Sequence, residues 1–126
     1  SSDEIFTTAD IMELDSYTGK CTFYKQGAAE SYIRCGDEVV TAENRSLPVG
    51  ILPETSISPV SFHLKAGDGA VMISDGVSGN GEYIREVLMN DTITSEMCAE
   101  KVISSVSDNK QRRDDKTAAA VKLYAY

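Results

Sequence analysis

Three observations predict a mixed α/β chain of the α+β kind, forming one domain or part of one. Short segments of alternating apolar and polar residues, separated by glycine-bearing turns, fill the first half of the chain. Two later stretches, 81–89 and 94–107, change to helical spacing. The 126 residues are 41% apolar and 25% charged, a balance that buries an ordinary core. Because the early segments lie close together with no helix between them, they predict an antiparallel meander and not a β-α-β repeat. About six to eight strands and two principal helices are expected.

Residues 6–14 read as a strand, with Met12 and Leu14 on one face and Ile11 and Glu13 on the other. A turn at 17–20 and a partner strand at 21–26 make 11–26 a hairpin. Gly27, Ala28 and Ala29 interrupt the pattern; small side chains there suit a tight bend, or the close approach of a ligand or second chain. Strands at 31–35 and 39–43 follow, joined by a turn at 35–38. Pro48 and Pro53 keep 47–53 at an edge or outside the sheet, since proline donates no ladder hydrogen bond. Val60, Phe62 and Leu64 alternate with Ser61, His63 and Lys65, so the single histidine falls on the polar side and reads as a surface imidazole.

The run Ala70 to Ile73 is too short for a helix and has glycines on both sides, so it reads as a buried strand. It leads into Ser74-Asp75-Gly76, where the glycine is expected to turn the chain through angles that other residues avoid. Asp75 would then stand at the mouth of a sheet, open to solvent. That position suits a hard-metal ligand or an acid-base group, although an isolated Asp-Gly pair is more often a plain turn. Tyr83, Ile84, Val87 and Leu88 give one helix its apolar stripe. Thr94 caps the next, Glu96 lies in its first turn, and Ala99, Val102, Ile103 and Val106 form its stripe. Residues 107–113 read as a polar loop. The last strand, 117–124, holds three consecutive alanines whose intrinsic preference is helical; its place after an acidic turn and its Val-Lys-Leu-Tyr ending favour a strand.

A net charge of −8 argues against general binding to nucleic acid or to an anionic membrane surface, with the basic stretch 110–113 a local exception. No apolar run approaches the length of a membrane span, and the start is not signal-like, so a soluble piece is expected. Three cysteines without metal-ligand spacing argue against a disulfide framework or a zinc site and for a reducing cytoplasm. Cys98, on a helical pattern, reads as a small buried hydrophobe. One histidine leaves little room for a histidine-based triad or metal site.

The segment Gly-Asp-Gly-Ala-Val-Met-Ile-Ser-Asp-Gly-Val at 67–77 and the segment Asp-Asp-Lys-Thr-Ala-Ala-Ala-Val at 114–121 resemble the last two acidic motifs of the metal-dependent PPM/PP2C phosphatases. The closer resemblance is to the stage II sporulation protein E (SpoIIE) type, and the segments at 25–33 and 46–51 agree with it in order. The resemblance implies a PP2C-like sandwich of mostly antiparallel sheets with flanking helices. It makes 1–126 the C-terminal portion of that phosphatase domain. Asp75 and Asp114 become metal ligands, and Asp115 a local cap or a support for them; no further catalytic residue is assigned. Arg112 and Arg113 either steer a phosphate or are solvated loop charges.

The implied cofactor is Mn²⁺ or Mg²⁺, in a two-metal site of the complete domain. Oxygen-only ligation suits these cations, and such a pair polarises a phosphoryl group and activates water. The implied substrate is a phosphorylated anti-anti-sigma factor, dephosphorylated at serine to activate a sporulation sigma factor, at the cytoplasmic face of a membrane reached through upstream segments. The family's Gly-Asp motif and first Asp-Gly motif are missing from 1–30, where Asp10 and Asp15 lack the following glycine. These residues alone are therefore expected to be inactive, with exposed strand edges that favour a homodimer or strand exchange. The competing reading is a non-catalytic regulatory or binding module that keeps the fold.

Overall fold

The computed structural model describes residues 9–43, 59–106 and 115–125. In chain order the elements are β1 (Ala9–Leu14), β2 (Lys20–Gln26), β3 (Ser31–Cys35), β4 (Glu38–Ala42), β5 (Val60–His63), β6 (Gly69–Ile73), α1 (Gly81–Met89), α2 (Ser95–Ser104) and β7 (Ala118–Lys122). Among the described residues the strands form two sheets, β1-β2-β5 and β4-β3-β6-β7, antiparallel throughout. The α+β class and the two expected helices are present.

The hairpins β1–β2 and β3–β4 form as expected, but they do not continue into one meander. The chain leaves the first sheet at Gly27, whose φ is 64°, and opens the second sheet with β3. Burial explains the break. Ser31, Tyr32 and Ile33 are all buried, so β3 is covered on both faces, and it pairs on both edges, with β4 and β6. Alternation reveals which way side chains point and leaves the pairing partner open.

Two cores follow from that central sheet. Between the sheets, Cys21 and Phe23 of β2 meet Ile33, Ala42 and Ala70, with Met12, Phe62, Met72 and Val121 packed around them. The Phe23 and Phe62 rings meet edge to face at 6.0 Å. On the opposite side of the second sheet, Tyr32, Val71 and Ile73 pack against Ile84, Val87 and Leu88 of α1 and Cys98 and Val102 of α2. The run Ala70 to Ile73 is apolar because β6 serves both cores.

The alanines of β7 have a packing reason. Ala118 and Ala120 lie beneath the helices, and α2 packs on β7, so short side chains let the helix sit close. Tertiary packing thus overrides alanine's helix preference. Gly69 serves a different closeness, that of β6 to β7: a Cβ there would stand 2.5 Å from the Val121 carbonyl oxygen. Thr94 Oγ1 accepts from the Met97 amide at 3.2 Å, the predicted cap. Helix α2 ends at Ser104, short of the expected 107, and Cys98 is fully buried. The His63 side is exposed, as its alternation implies.

Charged groups tie the loops. Lys122 Nζ donates to the carbonyls of Asn90, at 3.2 Å, and Ile93, where α1 gives way to α2. Arg34 Nη1 reaches the Leu88 carbonyl at 3.2 Å and Asp91 Oδ1 at 2.6 Å. Asp68 is buried and accepts from the Gly36 and Lys65 amides, each at 2.9 Å, so the first aspartate of the Gly-Asp-Gly segment closes a loop. The expectations for 6–8, 47–53 and 107–114 lie outside the described residues.

Candidate metal centre

Strand β6 ends at Ile73, which stands opposite Ala118 of β7. The next residue continues the pairing by other means. The Ser74 amide donates to the Thr117 carbonyl at 2.9 Å, and the Thr117 amide donates to Ser74 Oγ at 2.9 Å. Ser74 Oγ in turn donates to the Asp115 carbonyl at 3.1 Å. The two acidic motifs therefore meet at one end of one sheet, as the adjacency of 70–74 and 117–123 requires. Asp75 follows Ser74 directly; Asp114 lies outside the described residues, and the backbone of its neighbour Asp115 is the part seen at this edge.

Asp75 is exposed and opens a single 3-10 turn, Asp75–Val77. Its carbonyl accepts from the Ser78 amide at 3.2 Å and from Ser78 Oγ at 2.8 Å, which fixes the turn. Among the described residues no ion pair or hydrogen bond engages its carboxylate. The expected role of Gly76 needs correction. Gly76 sits buried inside the 3-10 turn, and the positive φ of this region, 95°, belongs to Gly79. A helical turn bends the chain here without left-handed angles.

Other groups reach the same end. Tyr32 stands opposite Val71, so Ser31 and Glu30 lie level with the last residues of β6. The Tyr32 hydroxyl donates to Glu30 Oε1, and the Arg85 guanidinium lies 5.6 Å from the centre of the Tyr32 ring while donating to the Val39 carbonyl at 2.5 Å. Burial, and then the bond to Glu30, push the Tyr32 phenol up to about 12, so it stays a donor at neutral pH. Glu30, Tyr32, Gly79, Asn80 and Glu82 line an open groove beside the Asp75 turn.

Lys25 was not singled out from sequence, yet it is buried here. Its Nζ donates to Asp10 Oδ1 at 2.9 Å and to Ser31 Oγ at 2.6 Å, joining the first sheet to the second. The signal was present: Lys25 shares alternation parity with the inward Cys21 and Phe23. Asp10, passed over as a metal motif, is occupied by this lysine.

A hard divalent cation fits the chemistry of Asp75, an exposed anionic oxygen donor on a fixed turn that, among the described residues, forms no ion pair. The ligand set is not complete here: among the described residues, no cluster of three or more His, Cys, Asp or Glu is arranged to hold a metal.

Two packed antiparallel sheets, the second covered by two helices, with an acidic turn at the end of a central strand, match the PP2C class of phosphatase fold. The family model for stage II sporulation protein E matches residues 1–124, and the chain belongs to that family. It is 37% identical over 84 residues to stage II sporulation protein E of Bacillus subtilis (strain 168), a match covering 67% of this chain and 10% of that protein. To the Priestia megaterium protein it is 34% identical over 89 residues, 71% of this chain and 15% of the other. The chain thus spans a small part of the curated relatives it matches.

Among solved structures, the Mn-presoaked phosphatase domain of the cell fate determinant SpoIIE from Bacillus subtilis superposes with a TM-score of 0.72 at 27% identity. The match covers 100% of this chain and 60% of that one. A crystal form of the same domain without domain swapping gives a TM-score of 0.67 at 29% identity, over 97% of this chain and 58% of the other.

Proposed function

We propose that this chain is the C-terminal portion of a Mn²⁺- or Mg²⁺-dependent protein phosphatase domain in which Asp75 and Asp114 are metal ligands. The observation that carries the reading is the junction of β6 with β7, where Ser74, the residue before the Asp75 turn, is hydrogen-bonded to the segment that follows Asp114 in sequence. Bound divalent cations supply polarisation of the phosphoryl group and an activated water. The residues of this chain hold the anionic oxygens in place: Ser78 fixes the Asp75 turn, and Ser74 fixes its approach to 115–117. The groove at Glu30, Gly79 and Asn80 is the space for polypeptide flanking a phosphoserine.

In this reading the substrate is a phosphorylated anti-anti-sigma factor and the setting of the complete protein is the cytoplasmic face of a membrane, as the sequence resemblance implies. The presence of both Asp75 and Asp114 favours the enzymatic reading over a decayed, non-catalytic module, and in that reading residues 1–126, which lack the first two acidic motifs of the resemblance, are inactive by themselves. The test compares residues 1–126 with a version extended upstream to the full domain, using phosphopeptide hydrolysis in Mn²⁺. Turnover only by the extended protein is the expected result. Equal turnover by 1–126 would show that it carries the whole site, and no turnover by either would favour the regulatory module.

A further inference from the structure

We propose that Arg85 is a specificity-determining residue, which binds the carboxylate of an aspartate or glutamate side chain close to the phosphoserine of the substrate polypeptide. This deepens the phosphatase reading above and rests on it, but it uses neither of the proposed metal ligands. Arg85 projects from α1 into the open groove that Glu30 and Tyr32 line together with 79–82. Its guanidinium carbon lies 5.6 Å from the centre of the Tyr32 ring, and Nη1 donates to the Val39 carbonyl at 2.5 Å. Glu30 and Glu82 line the same groove, yet among the described residues Arg85 forms no ion pair.

These contacts fix the orientation of the guanidinium. Tyr32 supports it through the ring, and the Val39 carbonyl takes one of its N–H donors, while the others have no partner among the described residues. Tyr32 is itself held: it is buried, and its hydroxyl donates to Glu30. Gly81 leaves room beside that hydroxyl, since a Cβ there would stand 2.8 Å from the phenol oxygen. A fork of donors held in advance matches the two oxygens of a carboxylate, and little ordering is left to subtract from binding. Glu30 and Glu82 decide which anion suits the groove, because their charges repel a phosphate dianion more than a singly charged carboxylate. The phosphoryl group therefore stays at the Asp75 edge, and an acidic side chain beside it reaches Arg85.

The experiment uses the complete phosphatase domain as parent, Arg85→Gln and Arg85→Lys. Its substrates are phosphoserine peptides in which one aspartate is moved through the flanking positions, with asparagine at the same positions as the reference. Turnover is measured as kcat/KM in Mn²⁺, and binding is read without metal from the amide shifts of Gly79 and Gly81. The parent should prefer aspartate to asparagine about tenfold at one flanking position, the low end for a hydrogen bond to a charged group. Arg85→Gln should bring that ratio close to one and abolish the aspartate-dependent shifts. Arg85→Lys, which keeps the charge but not the planar fork, should keep only part of the preference. The ratio cancels any loss common to both peptides, so a general effect on folding or turnover does not mimic the result. A parent ratio of one at every position, or a preference that survives in Arg85→Gln, would overturn the role of Arg85 and leave the phosphatase reading standing. No turnover of any peptide by the parent would overturn the phosphatase reading and this proposal with it.

Discussion

Ile73 stands directly opposite Ala118, and from that pair onward the strands carrying the two acidic motifs run out at the same end of the sheet. The pairing converts a separation of some forty residues in sequence, bridged by two helices, into neighbouring backbone. Helices α1 and α2 fold back over the same sheet, so their apolar stripes hold the β6–β7 junction from one side.

The alanines of β7 should resist enlargement. Ala120→Leu adds bulk beneath the helices, where Ala120 packs against the core shared by α1, α2 and β6. A loss of about 1–3 kcal/mol is expected from overpacking, measured by denaturant unfolding. An unchanged midpoint would mean that α2 has room to move away and that small size is not what the position demands.

Lys25 should matter for stability more than a lysine in a strand usually does. Lys25→Ala leaves Asp10 and buried Ser31 without the ammonium that joins them. Asp10 keeps some access to water, so a cost of about 2–3 kcal/mol is expected, at or below the low end for breaking a buried pair. Pairing Lys25→Met with Asp10→Asn should recover part of that loss. A single mutant as stable as the parent would show that the contact contributes nothing net.

Alkaline lability follows from two groups held neutral by the fold. Burial pushes the Cys21 thiol up to about 11, with a further contribution from Cys35, and the Tyr32 phenol up to about 12. In the unfolded chain they ionise near their ordinary values, 9.0 and 10.0. The unfolded state therefore loses protons first as pH rises, and the stability these groups contribute is complete below 9.0. It should fall between 9.0 and about 11 for Cys21 and between 10.0 and about 12 for Tyr32. Urea midpoints from pH 7 to 11 test this; Cys21→Ala and Tyr32→Phe should each flatten the decline. A profile identical in parent and mutants would contradict it.

Much of the fold and part of the site were legible in the sequence because local pattern and packing agreed. The doubly buried β6 reads as an uninterrupted apolar run, Thr94 sits where an N-cap belongs, and Asp75 follows a strand end. Other features depend on which partner a strand finds. The division of the strands into two sheets rests on β3 pairing with β6 across 35 intervening positions or so, a choice alternation does not encode. Asp68 and Gly76 lie within the same glycine-bearing stretch as Asp75, yet one closes a loop and the other sits inside a 3-10 turn. Lys25 shows its role only when the inward parity of β2 is set against a buried Ser31 from the other sheet.

The most direct test of the account is a calorimetric Mn²⁺ titration of the complete domain carrying Asp75→Asn or Asp114→Asn. Asparagine keeps the shape and one oxygen but removes the charge that holds a hard cation. Each mutant is expected to stay folded and to bind Mn²⁺ at least about tenfold more weakly, with phosphopeptide turnover falling roughly 10²-fold as positioning is lost and partly returning in excess Mn²⁺. Mn²⁺ binding indistinguishable from the parent in both mutants would contradict the account and leave Asp75 and Asp114 as turn residues.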